Sequence, residues 1–304
     1  MLWARTPDVA EAINRDHANP RYMREFALPA SLRASGDIEE TVADCDLVIV
    51  GVPTHAFRGV LREVAAHLRP WIPVVSLAKG LEQGTLLRMT QIIKEELPGH
   101  PAAALTGPNL ARELMSGHAA ASVIATEDLA VAAAIQGVIG RDLFCVYLNH
   151  DVIGCEMGGA LKNVIAIAAG IGEGLGVGDN TRAAVMSRGL AEITRLGVAM
   201  GAEPLTFAGL AGMGDLIATC MSPYSRNRLV GERLGQGRPL PAVLDELQMV
   251  AEGVTTAAVV LELAEKHGLD LPICRVINRV ILGEVTPRHA YRGLTPAGHE
   301  ADPG

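Results

Sequence analysis

Aromatic side chains make up only 3% of this 304-residue chain, and its five cysteines (Cys45, Cys145, Cys155, Cys220 and Cys274) are scattered. An odd number of cysteines with no C-x-x-C pair excludes a disulfide framework and a zinc ribbon, and fits a reducing, cytoplasmic setting. The nine histidines include no H-E-x-x-H or other ligand spacing, so no metal is expected. Lys and Arg form no run, and a net charge of −8 argues against a nucleic-acid partner or a basic membrane-surface protein. A focused basic pocket for a small phosphorylated molecule remains compatible with that charge. No stretch gives eighteen uninterrupted apolar residues, and no apolar signal core follows Met1-Leu2-Trp3-Ala4-Arg5. Neither export nor integral membrane association is expected.

What is present suits a globular enzyme: 49% hydrophobic residues against 20% charged, over a length that allows two domains and a cleft. Three apolar runs, 44–53, 73–80 and 102–109, end in Gly or Pro and alternate with helical stretches at 59–68 and 85–97. That alternation predicts strands buried on both faces of a parallel sheet. Shorter strands are expected at 121–125 and 143–148. From Val152 onward the pattern is helical: 158–173, 182–200, 227–234, 240–248, 255–267 and 272–282, with Gly268 and Gly283 as C-terminal stops and Pro272 in a first turn. The expected organisation is an α/β, Rossmann-like domain over 1–150, an all-α substrate domain over 151–294 and a frayed tail over 295–304.

One expected element is missing. A dinucleotide-binding sheet opens with a strand and a G-x-G-x-x-G turn that holds the pyrophosphate, and nothing before Leu47 matches. Residues 1–5 resemble the end of the second strand, where an acidic residue reads the ribose of NAD and an arginine such as Arg5 accommodates the phosphate of NADP. The first βα unit, about thirty residues, is expected to be absent, as if the start were assigned too late. Its neighbours would then lose a pairing partner and expose a sheet edge.

Several polar residues sit where chemistry would need them. Lys162, beside Asn163, lies in an otherwise apolar helical run, 158–170, where an unpaired ammonium is expensive. Burial lowers a lysine pKa towards neutral pH and suits it to acid/base work; the competing reading is a lysine snorkelling from a helix edge. Lys79 ends a strand at the carboxyl edge of the sheet, the ligand edge of such folds. Gly107-Pro108-Asn109 ends the next strand and offers free N–H groups and a capping amide to a helix over 110–114. Asp215 and Thr219 are four residues apart after a glycine-rich approach, with Asp215 also suited to cap a helix. Ser225-Arg226-Asn227 sets a guanidinium between two hydrogen-bonding side chains, a match for phosphate or for an ordinary solvated turn.

In order, L-A-K-G-L-E, G-P-N-L-A-x-E, G-G-A-L-K-N-V-x-A-I-A-A-G, G-M-G-D-L-I-A-T-C, S-R-N and A-E-G-V resemble the bacterial-type NAD(P)-dependent sn-glycerol-3-phosphate dehydrogenases from about Met1 to Gly293. The resemblance implies interconversion of dihydroxyacetone phosphate and sn-glycerol 3-phosphate, with NAD or NADP as cofactor, for phospholipid synthesis. It implies Lys162 as proton donor to the C2 oxygen, Lys79 beside cofactor and carbonyl, and Asp215 with Asn163 and Thr219 orienting them. Gly107, Asn109, Ser225, Arg226 and Asn227 match substrate-binding positions. Ala111, Arg226, Val250 and Glu252 match cofactor contacts. A homodimer is compatible with it. Two other readings stay open: a β-hydroxyacid or 6-phosphogluconate-type dehydrogenase, and a non-catalytic remnant that binds a phosphorylated ligand without cofactor.

Overall fold

The computed structural model describes residues 1–247 and 251–293; the tail expected over 295–304 lies outside them. Strands β1 (Leu2–Trp3) and β2 (Ala34–Ser35) pair in parallel around the helix Pro7–Asp16. A second sheet holds β3 (Val48–Val50), β4 (Val74–Ser76), β5 (Ala102–Thr106), β6 (Ala120–Ala125) and β7 (Phe144–Asn149), hydrogen-bonded in that order. Helices Thr54–Ala65, Met89–Glu96 and Leu129–Ile139 connect these strands. β1–β2 and β3–β7 remain separate sheets. On the β3 edge, Ile49 is 47% exposed, as expected of a strand lacking a neighbour on that side.

The sheet is not wholly parallel, which corrects one expectation. β6 runs antiparallel to β5, with Ala104 opposite Ala125 and Thr106 opposite Val123. The connection between them contains only the five-residue helix Ala111–Met115. Such a helix rises about 7.5 Å, too little to carry the chain back along a five-residue strand of about 17 Å. The strand expected over 44–53 is also shorter than its apolar run, because the helix Thr54–Ala65 begins directly after Pro53.

β7 ends at Asn149, and Asp151 then caps the helix Val152–Leu175 by accepting from the Gly154 N–H at 2.8 Å. This 24-residue helix is long and apolar enough to span a membrane, yet 94% of its apolar window is buried within the protein. Around it pack Asp179–Ala199, Arg226–Gly235, Glu252–Lys266 and Pro272–Ile281. Leu81 and Leu86, from the loop after β4, join the same helical core. Glu156 on the central helix accepts from the Thr90 N–H at 2.8 Å and pairs with Arg88 at 2.5 Å, fastening the two halves through a second buried contact.

The closest crossing is set by glycine. The central helix carries Gly170 and Gly174, and the helix Arg226–Gly235 carries Gly231 and Gly235, each pair four residues apart. A Cβ on Gly170 would collide with the Arg228 carbonyl, and one on Gly231 with the Ile167 carbonyl. Backbone therefore meets backbone, and no side chain separates the helices. Gly170→Ala is expected to destabilise the fold by about 1–3 kcal/mol through overpacking. Gly137→Ala, on an exposed helix face with nothing within 4 Å of the new Cβ, should stabilise by about 0.5–1 kcal/mol. Urea midpoints of the two variants check this, and a Gly170→Ala midpoint equal to that of the unchanged chain would refute the contact.

Candidate active site

Lys79, three residues after the end of β4, and Lys162, midway along the central helix, converge on one carboxylate. Asp215 Oδ2 lies 2.8 Å from Lys79 Nζ, and its Oδ1 lies 3.1 Å from Lys162 Nζ. The side chains of Lys79, Lys162 and Asp215 are 18%, 6% and 4% exposed. Lys162 therefore does not snorkel, and Asp215 does not cap a helix: its carboxylate is given to the two ammonium groups. The segment Leu210–Gly214 is a π-turn that leads into the helix Asp215–Met221. That irregular turn packs against the central helix, where a Cβ on Gly158 would come within 2.5 Å of the Ala211 carbonyl oxygen.

The two lysines differ in how fully they are engaged. Lys79 Nζ donates to Gly107 O at 2.9 Å, Asn109 Oδ1 at 2.8 Å and Asp215 Oδ2 at 2.8 Å. An ammonium has three N–H donors, so Lys79 is saturated. Lys162 Nζ donates to Thr219 Oγ1 at 2.6 Å and faces Asp215 Oδ1, and Thr219 passes its own proton to the Asp215 backbone carbonyl at 2.6 Å. Among the described residues Lys162 thus has two acceptors for three donors. Asn109, expected to cap a helix, does not: Leu110 occupies the N-cap position, and the Asn109 amide is held between Lys79 and Ser122 Oγ. The lysine is the stronger claimant because its bond is charge-assisted.

A chain of side-chain amides surrounds the cluster. The Lys79 carbonyl can only accept, so Asn163 turns its NH2 to it at 2.9 Å; the Gly253 N–H can only donate, so Asn227 turns its oxygen to it at 3.0 Å. The remaining ends meet as Asn227 Nδ2 donating to Asn163 Oδ1 at 3.0 Å. Each amide nitrogen keeps a second N–H for a ligand. Ser225 caps the helix Arg226–Gly235 by accepting from the Arg228 N–H, and Arg226, exposed at its first position, acts electrostatically on Glu252. Glu252 in turn accepts from the Thr54 N–H at 3.4 Å, joining this group to the first turn of the helix after β3.

Not every expected residue joins the cluster. Arg5 lines a surface groove of about 750 Å³ with Trp3, Gly36, Asp37, Ala56, Gly59 and Glu63. Ala111 is exposed in the first turn of the helix after Asn109. Val250 lies outside the described residues. Thr106 was not expected: its hydroxyl reaches Asp215 Oδ2 at 3.4 Å. Its position directly before Gly107 was the available signal.

Burial and the neighbouring Lys162 push Lys79 down to about 8 from 10.5, against the opposing pull of Asp215. Burial alone would raise the Asp215 carboxyl, but Lys162 and Lys79 together hold it below its usual value. Burial raises Glu252. Between pH 8 and 10.5 the unfolded chain holds the Lys79 proton more tightly than the folded one, so stability rises with pH in that window. The penalty is fully present below pH 8. The chain has four lysines, Lys79, Lys94, Lys162 and Lys266, so carbon-13 NMR of the reductively methylated protein can follow each, with Lys79 assigned by Lys79→Arg. Lys79 should titrate near pH 8 and fall further in Asp215→Asn; a midpoint that stays near 10.5 would contradict the burial argument.

Comparisons with known proteins give the family of the chain. Residues 1–132 match the family model for the NAD-dependent glycerol-3-phosphate dehydrogenase N-terminus, and residues 151–292 match that for its C-terminus. The chain is 55% identical to the glycerol-3-phosphate dehydrogenase (NAD(P)+) 2 of Sphingopyxis alaskensis, over 100% of this chain and 92% of that one. It is 52% identical to the Mycobacterium avium enzyme, over 99% and 89%. The crystal structure of glycerol-3-phosphate dehydrogenase from Coxiella burnetii superposes with a TM-score of 0.92 at 31% identity, covering 96% of this chain and 90% of that one. A D-mandelate dehydrogenase shares the fold alone, at a TM-score of 0.56 and 12% identity. With both halves matched in order, the chain belongs to the NAD-dependent glycerol-3-phosphate dehydrogenase family.

Proposed function

We propose that this protein interconverts dihydroxyacetone phosphate and sn-glycerol 3-phosphate with NAD(P)H, in the cytoplasm, for glycerophospholipid synthesis. The observation that carries the reading is the unequal engagement of the two lysines. Lys162 has a donor left for the substrate C2 oxygen, while Lys79 can give up a proton only by breaking one of three bonds. Burial lowers the Lys79 pKa, but its geometry makes it a holder of the Gly107 and Asn109 turn and of Asp215. Lys162 is the proton donor, Thr219 and Asp215 orient it, and the second positive charge stabilises oxygen charge as it develops.

The substrate phosphate is assigned to the first turn of the helix Arg226–Gly235, where the Arg226 guanidinium adds charge to the positive end of the helix. The donor set of the Arg5 groove fits the adenosine end of a dinucleotide: the Trp3 indole offers a flat apolar wall, Gly59 leaves space, and Arg5 suits a ribose phosphate. Lys79 and Glu252 would hold the nicotinamide end. When bound, the cofactor supplies the hydride; the protein supplies position, charge and the proton.

Purified protein should oxidise NAD(P)H in the presence of dihydroxyacetone phosphate, followed by nicotinamide absorbance. Activity with a hydroxyacid pair alone would overturn the assignment, and binding of sn-glycerol 3-phosphate without any turnover would favour a ligand-binding remnant. Lys162→Ala should lower kcat by about two to four powers of ten, as lost acid/base catalysis does. Turnover close to that of the unchanged chain would return Lys162 to a structural role.

A further inference from the structure

Three segments around the phosphate end of the site meet on one side chain outside the cluster. Arg112 lies three residues after Asn109, in the helix Ala111–Met115. Its guanidinium pairs with Glu25 at 2.5 Å, and its Cζ lies 6.0 Å from the Phe26 ring centre and 5.2 Å from that of Tyr224. Both rings are within cation–π range. Glu25 and Phe26 belong to a loop over residues 17–28 whose ends close through Leu28 N–H donating to the His17 carbonyl at 2.7 Å. Compact surface loops with closed ends of this kind are frequently functional. Tyr224 directly precedes Ser225, the cap of the helix on which Arg226 and Asn227 stand.

We propose that Arg112 is a positioning residue for the phosphate end of the site, a clasp tying the loop 17–28 and the segment 222–225 to the Gly107–Asn109 turn. This rests on the reading of that segment as the phosphate-binding one. The contacts lie at the surface: the Arg112 and Glu25 side chains are 46% and 44% open to solvent, Tyr224 is 52% exposed, and Phe26 is half-buried. Exposed ion pairs and cation–π contacts are individually weak. The clasp therefore releases without unfolding its neighbours, which suits a contact that opens and closes around a ligand.

Arg112→Ala should raise KM for dihydroxyacetone phosphate about three- to tenfold, a factor that the loss of three weak contacts gives, with kcat within about twofold. Its melting temperature should be unchanged. Arg112→Lys, which keeps a cation over the rings, should recover most of the KM, and Tyr224→Phe, which keeps the ring, should match the unchanged chain. Trypsin should cut the Arg112→Ala chain faster after the exposed Arg21 and Arg24 of the same loop. Equal KM, or equal cleavage of the two chains, overturns the clasp, as does a raised KM that Arg112→Lys fails to recover. The cleavage arm needs no substrate, so failure of the assigned activity shows in the unchanged chain and failure of the clasp shows in the comparison.

Discussion

Two ammonium groups and one carboxylate taken out of water are the constraint around which both halves of the chain are arranged. Burying an ion costs several kcal/mol even after the protein relaxes, roughly, and mutual attraction recovers this only with good geometry and satisfied hydrogen bonds. Here the compensation comes from five places in the sequence: the β4 end, the β5 end, the central helix, the helix Asp215–Met221 and the turn at Asn109. Lys79 is held by Gly107, Asn109 and Asp215, and Asp215 by both lysines and Thr106. Moving either half by an ångström would strand a buried charge, so the docking of the halves and the assembly of the site are one event.

The glycine crossing makes that docking tight enough. If side chains separated the central helix from the helix Arg226–Gly235, Asn227 could not bond Asn163 at 3.0 Å. The same close approach recurs at Gly253, where a Cβ would sit 2.6 Å from the Asn163 carbonyl oxygen. Asn163 is thus reached from two helices and from the Lys79 backbone, and the bonds to Lys79 and Asn227 fix which end of its amide faces which way. A ligand bound near Arg226 and one bound near Glu252 touch segments already joined by those amides. Preorganisation of this kind removes the ordering cost from the binding step.

The sequence made the alternation of strands and helices legible because each element carries its own period and its own Gly or Pro stops. Lys162 was legible for a related reason, since a charge in an apolar helix has to be explained. What it could not show was pairing across distance. That β6 turns antiparallel depends on how far a five-residue helix reaches, and that Asn109 abandons its helix depends on an ammonium 30 residues upstream. Thr106 looked like an ordinary strand residue because its partner, Asp215, is 109 residues away. Arg112 fills only the open position of G-P-N-L-A-x-E; its role exists only once three segments have come together.

The charge count of the cluster explains why it suits an anionic ligand. Two lysines against one aspartate leave a surplus positive charge, and the raised Glu252 carboxyl does not cancel it as readily as an ordinary one would. In the interior such a surplus is unfavourable, which is the direction in which Lys79 is shifted. A ligand that develops negative charge on oxygen next to Lys162 relieves the imbalance. The strain of the unliganded cluster is thereby lessened most when that charge is greatest, and an arrangement more favourable to the charged oxygen than to the neutral carbonyl lowers a barrier, not only a binding constant.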